Sequence, residues 1–164
     1  MELGLGTSVG PYVVESFVAE GGMSLIYKVR HRENGSVHAL KVLAIHTRSI
    51  RDRMQQEGEL QGLFNHPNIV SVSDVLQLPH APALVMDFVA GPDLAVLLNC
   101  CSLTDAQTHI LARGILQGMI AAHANGMVHR DRKPSNILLE IKDETLVPRI
   151  SDFGLAKMWG TDED

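Results

Sequence analysis

The pattern of apolar residues changes character at Gly91-Pro92. From Tyr12 to about Val89, β-branched and polar residues alternate in short runs, with turn signals such as Glu33-Asn34-Gly35-Ser36 between them. After Gly91-Pro92 the apolar spacing is that of helices. The sequence therefore predicts an α+β chain with a β-rich first lobe, a short hinge and a helical second lobe.

Short apolar runs predict the strands, and two longer segments predict helices. The strands are expected at Tyr12–Ala19, Leu25–Arg30, Val37–Ala44, Ile69–Gln77 and Ala83–Phe88. One helix is expected over 49–64. A longer helix begins at Thr104, where Thr104-Asp105-Ala106-Gln107 has the form of a capping box, and ends at Gly126. Two further short strands, over 137–140 and 149–151, flank a charged loop.

The long helix has a wider apolar face than one packing partner needs. Its apolar residues between Leu111 and Ala122 occupy an arc of roughly 180°, whereas a helix lying on one layer needs only about 100°. We therefore expect Leu116 and Ile120 to require a second packing partner.

Composition and charge exclude several classes of protein. The chain has 164 residues, of which 45% are hydrophobic, and its net charge is -5 with no block of basic residues, which argues against nucleic-acid and membrane-surface partners. The longest apolar stretch, Ala81–Ala90, is too short to span a bilayer. Cys100 and Cys101 are adjacent, so they cannot join distant segments or supply a zinc site, and a reducing, cytoplasmic setting is expected.

A small-residue turn, Ala19-Glu20-Gly21-Gly22-Met23-Ser24, lies between the first two predicted strands. Without Cβ atoms, the backbone N–H groups of such a turn can approach phosphate oxygens closely. A Gly-Gly pair between strands is also typical of an ordinary hairpin, so this feature alone leaves both interpretations open.

Lys41 lies inside a predicted strand whose neighbours are apolar. By itself it could be an ordinary surface lysine. In the following predicted helix, however, Glu57 falls in the middle of the inward, apolar face, where a carboxylate is costly unless it is paired with a cation. Lys41 on the adjacent strand is a natural partner for Glu57.

The most specific feature is a polar loop, Val128-His129-Arg130-Asp131-Arg132-Lys133-Pro134-Ser135-Asn136, followed by Asp152-Phe153-Gly154. A carboxylate such as Asp131 can accept a proton from an attacking hydroxyl, while Asn136 and Asp152 offer hard oxygen ligands to Mg²⁺. Lys133 can neutralise a phosphate. A polar loop without function does not easily account for both motifs in this order.

These motifs together resemble the protein kinase family, and specifically the bacterial, eukaryotic-like Ser/Thr kinases, over Gly10–Lys157. The family's signatures occur here in the family's order: the Gly21-Gly22-Met23 loop, Ile26-Tyr27-Lys28, Ala39-Leu40-Lys41, Glu57, His66-Pro67-Asn68-Ile69-Val70, Val85-Met86-Asp87-Phe88, the His129-Arg130-Asp131 loop and Asp152-Phe153-Gly154. The resemblance implies a two-lobed kinase fold, with an extension over 1–11, a complete small lobe of five strands and one helix over 12–89, and a partial large lobe over 90–164.

The resemblance also implies a role for each matching residue, with ATP and Mg²⁺ as cofactors and a protein Ser or Thr as substrate. The catalytic group would be Asp131 as base, Lys133 at the γ-phosphate, Asn136 and Asp152 as metal ligands, and Lys41 paired with Glu57 at the α/β-phosphates. The nucleotide would further meet Gly21, Gly22 and Ser24 in the flap, Ile26, Ala39 and Leu138 around adenine, Met86 as gatekeeper, and the backbone of Asp87 to Val89.

Three departures from the family pattern bear on function. Ala19 and Ser24 replace the first and third flap glycines, which predicts a stiffer flap rather than lost binding. Arg132 replaces an aliphatic residue that normally packs inward, so it must find a partner or turn outward. The segment 140–148 is longer than the usual turn, which a surface loop tolerates.

The chain ends at Asp164, before the family's activation segment. The sequence is therefore expected to be a fragment with a complete small lobe and an incomplete large one, and residues 1–164 alone are expected not to phosphorylate proteins. The alternative is a naturally short pseudokinase that binds a nucleotide or a partner. A small-molecule phosphotransferase of the same fold is disfavoured by Lys133 and by Phe153-Gly154.

Overall fold

The computed structural model describes residues 2–21, 24–43, 65–79, 81–129 and 131–153. The chain divides into two compact units. The first comprises the described residues of the first 64 together with those of 71–88, and the second comprises 65–70 and the described residues from Val89 onward. The helix predicted over 49–64 lies outside the described residues.

The first unit is an antiparallel sheet in the order β1-β2-β3-β4-β6-β5. Its strands are β1 Ser8–Val9, β2 Tyr12–Gly21, β3 Ser24–His31, β4 Val37–Leu43, β5 Val72–Gln77 and β6 Pro82–Asp87. Five of them match predicted runs. The short β1 was not predicted, and it extends the sheet at the β2 edge, where Leu3 packs against the core and donates its N–H to the Tyr27 hydroxyl at 3.0 Å.

The two faces of this sheet carry different residues because side chains alternate along each strand. One face bears the hydrophobic core of the unit, in which Tyr27, Val29 and Leu40 are almost fully buried. The register places Ile26 opposite Lys41, Lys28 opposite Ala39, and Ala39 opposite Met86, so these residues share the other face.

The second unit contains two α-helices and a hairpin. Helix α1 is Leu94–Cys100, α2 is Asp105–Ala124, a 3₁₀ turn covers Pro134–Asn136, and β7 (Ile137–Lys142) pairs with β8 (Thr145–Ile150). The Thr104 hydroxyl accepts from the Gln107 N–H and the Gln107 side chain accepts from the Thr104 N–H, which confirms the predicted capping box. No helix among the described residues is both long and apolar enough to cross a bilayer.

Helix α2 packs on β8 and on the segment 65–70 through its small residues. A Cβ added at Gly114 would lie 2.6 Å from Pro148 Cγ, and one added at Gly118 would lie 2.9 Å from the Asn68 carbonyl oxygen. The helix can approach this closely only because both positions lack side chains. On the other side of α2, Leu116 is 60% exposed and Ile120 is 67% exposed, so the described residues leave part of its wide apolar arc uncovered.

The strand predicted over Ile69–Gln77 begins later than expected. In the structure β5 starts at Val72, and the preceding residues pair with β8 instead: the Ile150 N–H bonds to the Asn68 carbonyl, and the Val70 N–H bonds to the Ile150 carbonyl, both at 2.9 Å. Ile69 is fully buried in this second unit. The apolar run in the sequence therefore continues across the point where the chain passes from the second unit to the first.

The hairpin is longer and its turn tighter than predicted. Lys142 pairs with Thr145, so the charged loop reduces to Asp143 and Glu144, with φ of 48° and 61°. Positive φ at both positions is the geometry of a type I′ turn, for which Asn-Gly is the usual sequence.

Replacing Glu144 with glycine is therefore expected to stabilise the protein by about 1 kcal/mol, because a residue with a Cβ is strained at this φ. Urea unfolding should show a higher midpoint with an unchanged slope. Glu144→Ala is the control, since it removes the same charge while keeping a Cβ. An equal gain in both variants would assign the effect to charge instead.

Candidate active site

Lys41 lies in the middle of β4, between Ile26 of β3 and Leu84 of β6. It is only 8% exposed, although lysine is almost never buried without a partner. Ala39, predicted to contact adenine, and Met86, the predicted gatekeeper, lie on the same face and are also buried. The first unit thus brings buried Lys41, two predicted adenine contacts (Ile26 and Ala39) and the predicted gatekeeper Met86 onto one face of its sheet.

The predicted phosphate-binding turn joins β2 to β3. Gly21 pairs with Ser24 at the end of the ladder, and Ala19 pairs with Ile26. Gly22 lies outside the described residues, as does Glu57, the predicted partner of Lys41. The assignment of these residues to nucleotide binding stays a prediction.

Asp87 ends β6 and begins the predicted hinge. Its backbone N–H donates to the Ser71 carbonyl at 3.0 Å. This donor is therefore already occupied, so recognition of an adenine edge would use other backbone groups of the segment from Asp87 to Val89. Val89 itself belongs to the second unit, together with Leu138 of β7.

Three residues predicted to be catalytic lie close together in the second unit: Asp131, Lys133 and Asn136. The Lys133 ammonium lies 2.9 Å from Asp131 Oδ2, and Asn136 Nδ2 donates to Asp131 Oδ2 at 3.1 Å and to the Asp131 carbonyl at 2.8 Å. Asn136 is buried, whereas about half of the Asp131 side chain is exposed. The loop thus holds one accessible carboxylate by two donors from the same short segment.

These two donors determine the electrostatics of Asp131. The hydrogen bond from Lys133, followed by that from Asn136, lowers the pKa of Asp131 below its usual value. The carboxylate therefore stays ionised at neutral pH and is a weak base. Such a group can orient a substrate hydroxyl and accept its proton late in the reaction, which suits the loose transition state of phosphoryl transfer.

The loop is anchored to the segment before Asp152 by buried hydrogen bonds. His129 is 1% exposed, and its Nε2 lies 2.7 Å from the Ser151 carbonyl. Because a carbonyl only accepts, Nε2–H donates this bond, and Nδ1 lies 3.3 Å from the Asp131 backbone nitrogen. The ring also packs edge-on against Phe153, with centroids 4.8 Å apart.

The side chain of Asn136 is oriented in a way that suits a metal ligand. Its amide nitrogen donates to Asp131, so its oxygen Oδ1 points elsewhere, and none of the described residues donates to that oxygen. Asp152, the other predicted ligand, is half-buried with φ of 63° and follows directly on Ser151. An amide oxygen and a carboxylate are the hard donors that Mg²⁺ prefers.

Two further observations concern the residues around the loop. Arg132 is exposed, so of the two outcomes expected for it, the outward one is observed. Neither His129 nor Ser151 was predicted as a site residue, although His129 lies in the His129-Arg130-Asp131 motif. The sequence signal that could have identified His129 is its position two residues before Asp131, the predicted catalytic base.

Known proteins that are similar to this chain are protein kinases. The protein kinase domain family matches residues 12–164. The Ser/Thr-protein kinase PkaA of Streptomyces coelicolor is 33% identical over 162 residues, covering 90% of this chain and 30% of that protein. The Ser/Thr-protein kinase pkn3 of Myxococcus xanthus is 34% identical over 161 residues, covering 93% of this chain and 29% of that protein. The chain therefore spans less than a third of the length of these relatives.

Solved structures of similar chains share the fold. The crystal structure of the Mycobacterium tuberculosis PknI kinase domain superposes with a TM-score of 0.79 at 28% identity, covering 93% of this chain and 63% of that one. The structure of Rad53 in complex with AMP-PNP gives a TM-score of 0.77 at 28% identity, covering 88% of this chain and 38% of that one.

Proposed function

Because the chain belongs to the protein kinase family, we propose that it binds ATP with Mg²⁺ and carries the residues that transfer the γ-phosphoryl group to Ser or Thr hydroxyls. The observation that carries the proposal is the accessible carboxylate of Asp131, which is contacted by both Lys133 and Asn136. The bacterial Ser/Thr kinases among the relatives, and the AMP-PNP complex of the similar Rad53 structure, support the same choice of substrate and nucleotide.

Asp131 acts on the acceptor hydroxyl in the proposed mechanism. Its carboxylate accepts a hydrogen bond from that hydroxyl, which orients the oxygen for attack, and takes up the proton as the bond to phosphorus forms. Lys133, whose ammonium group lies close to Asp131, then stabilises the negative charge of the transferring phosphoryl group. Most of the rate then comes from positioning and charge stabilisation rather than from a strong base.

Two groups of residues hold the nucleotide in this proposal. Lys41 binds the α/β-phosphates, and the apolar side chains on its face of the sheet pack on adenine. Asn136 and Asp152 hold the metal ion. When bound, Mg²⁺ supplies positive charge that neutralises the phosphate oxygens.

A Lys41→Met variant tests nucleotide binding directly. Titration of a fluorescent ATP analogue with Mg²⁺ should give a saturable signal for the wild type. The affinity should fall about tenfold or more in Lys41→Met, because a charge-assisted contact to phosphate is lost. Lys142→Met, which alters an exposed lysine of the hairpin, should bind like the wild type.

The outcomes of this titration separate the possible functions. Absence of saturable binding, or equal binding by Lys41→Met, would contradict the proposal. Binding that depends on Lys41 is expected of a nucleotide-binding pseudokinase as well, and transfer to Ser/Thr peptides above that of an Asp131→Asn control would exclude this alternative.

A further inference from the structure

Ser151 has a buried hydroxyl for which the proposed mechanism has no role. The residue is 7% exposed. Its Oγ donates to the Asn136 carbonyl at 3.1 Å, and its backbone N–H donates to the same oxygen at 2.9 Å. Its own carbonyl accepts from His129. One serine is thus bonded to both ends of the catalytic loop.

The hydroxyl is not needed merely to satisfy a buried acceptor. Asn136 ends the 3₁₀ turn Pro134–Asn136, and carbonyl groups at the end of a helix lack partners within it. The backbone N–H of Ser151 already supplies a partner for that carbonyl. The second bond, from the hydroxyl, therefore restricts the direction of the Asn136 backbone rather than removing an unsatisfied group.

Ser151 lies between the two proposed metal ligands, Asn136 and Asp152. It bonds to Asn136 and immediately precedes Asp152, so it touches one proposed Mg²⁺ ligand and is covalently joined to the other. Asn136 is in turn fixed at its other end, where its Nδ2 donates to Asp131. Loss of the Ser151 hydroxyl bond would therefore remove one restraint on the Asn136 backbone, from which its side-chain amide is oriented.

We propose that Ser151 is a positioning residue whose hydroxyl sets the orientation of Asn136 relative to Asp152, and thereby the affinity of the site for Mg²⁺ with nucleotide. This inference rests on the proposed function, since it concerns the metal of the same site. It assigns to Ser151 no contact with the nucleotide.

The first test needs neither nucleotide nor metal. In protein labelled with ¹⁵N-asparagine, the side-chain amide of Asn136 should give a resonance typical of a hydrogen-bonded group. Ser151→Ala should shift that resonance, because the Asn136 backbone loses one restraint, whereas Ser151→Thr, which keeps the hydroxyl, should leave it near the wild-type position. Ser135→Ala, which removes an exposed hydroxyl from the same loop, is the matched control and should leave it unchanged.

The second test measures the Mg²⁺ concentration that gives half-maximal binding of the fluorescent ATP analogue. Ser151→Ala should raise it about fivefold, the factor expected for one neutral hydrogen bond, and should leave the affinity for metal-free nucleotide unchanged. Ser151→Cys, with a weak S–H donor of similar size, should fall between Ala and the wild type. This variant also keeps the test decisive if Ser151→Ala folds poorly.

The results distinguish this inference from the proposed function. An unchanged Mg²⁺ requirement and an unchanged Asn136 resonance in Ser151→Ala would overturn it, as would an equal loss of affinity with and without metal, which indicates a general structural role. If the wild type binds no nucleotide, the proposed function fails. In that case the Asn136 resonance alone still decides whether Ser151 positions that side chain.

Discussion

Substitution of Gly91 by alanine is expected to destabilise the second unit strongly. A Cβ at this position would lie 1.8 Å from the backbone oxygen of Leu139, which is far inside van der Waals contact. Leu139 cannot move away easily, because it is fully buried and its N–H is bonded to the Pro92 carbonyl at 2.9 Å. Overpacking against a fixed backbone should cost about 3 kcal/mol or more, a large share of the stability of a typical domain.

Hydrogen exchange can locate the effect of this substitution. The amides of β7 and β8 should lose protection in Gly91→Ala, while those of β3 and β4 in the first unit should change much less. Gly4→Ala is the control, since the nearest atom to its added Cβ, Thr7 Oγ1, is 3.7 Å away. Native protection of β7 in Gly91→Ala would show that the chain tolerates a side chain here.

A comparably large loss of stability is expected when His129 is replaced by alanine. The change removes a ring that is 1% exposed, and with it the donor to the Ser151 carbonyl, whereas the Asp131 N–H keeps its 2.8 Å bond to the backbone carbonyl of residue 129. A cavity and one newly unsatisfied buried carbonyl together should lower the free energy of unfolding by about 4 kcal/mol.

Urea unfolding of His129→Ala measures this loss, and His123→Ala provides the reference. His123 is exposed in the last turn of α2, so its removal should change stability by no more than about 0.5 kcal/mol. His129→Phe should lie between the two, because it refills the volume without restoring the hydrogen bonds. A value for His129→Ala near that of His123→Ala would mean that the loop rearranges to satisfy its own backbone.

Local sequence signals predicted much of the fold because they act over a few residues. The capping box at Thr104 formed as expected, since both of its partners lie within one helical turn. The end of the Ile69–Gln77 run could not be found in this way, because its apolar residues are buried in two different units and only long-range pairing separates them. The β1 strand was missed for a similar reason: it has two residues and gains its place from β2.

The candidate site shows the same division between local and distant information. The spacing of Asp131 and Asn136 indicated a shared role, and their side chains are hydrogen-bonded. The positioning role proposed for Ser151 could not be predicted from the sequence. Its hydroxyl bonds to a carbonyl fifteen residues away, and serine has many ordinary roles. The predicted pairing of Lys41 with Glu57 stays a prediction, because Glu57 lies outside the described residues.

The two tyrosines allow the packing of the first unit to be followed by spectroscopy. The chain has two, Tyr12 and Tyr27, and both are buried in the core of the first unit. Their near-ultraviolet circular dichroism should therefore report on the packing of that unit. In a Trp159→Phe background, which removes the indole, an optical melt would follow the loss of the sheet around Tyr27 separately from the backbone signal of both units.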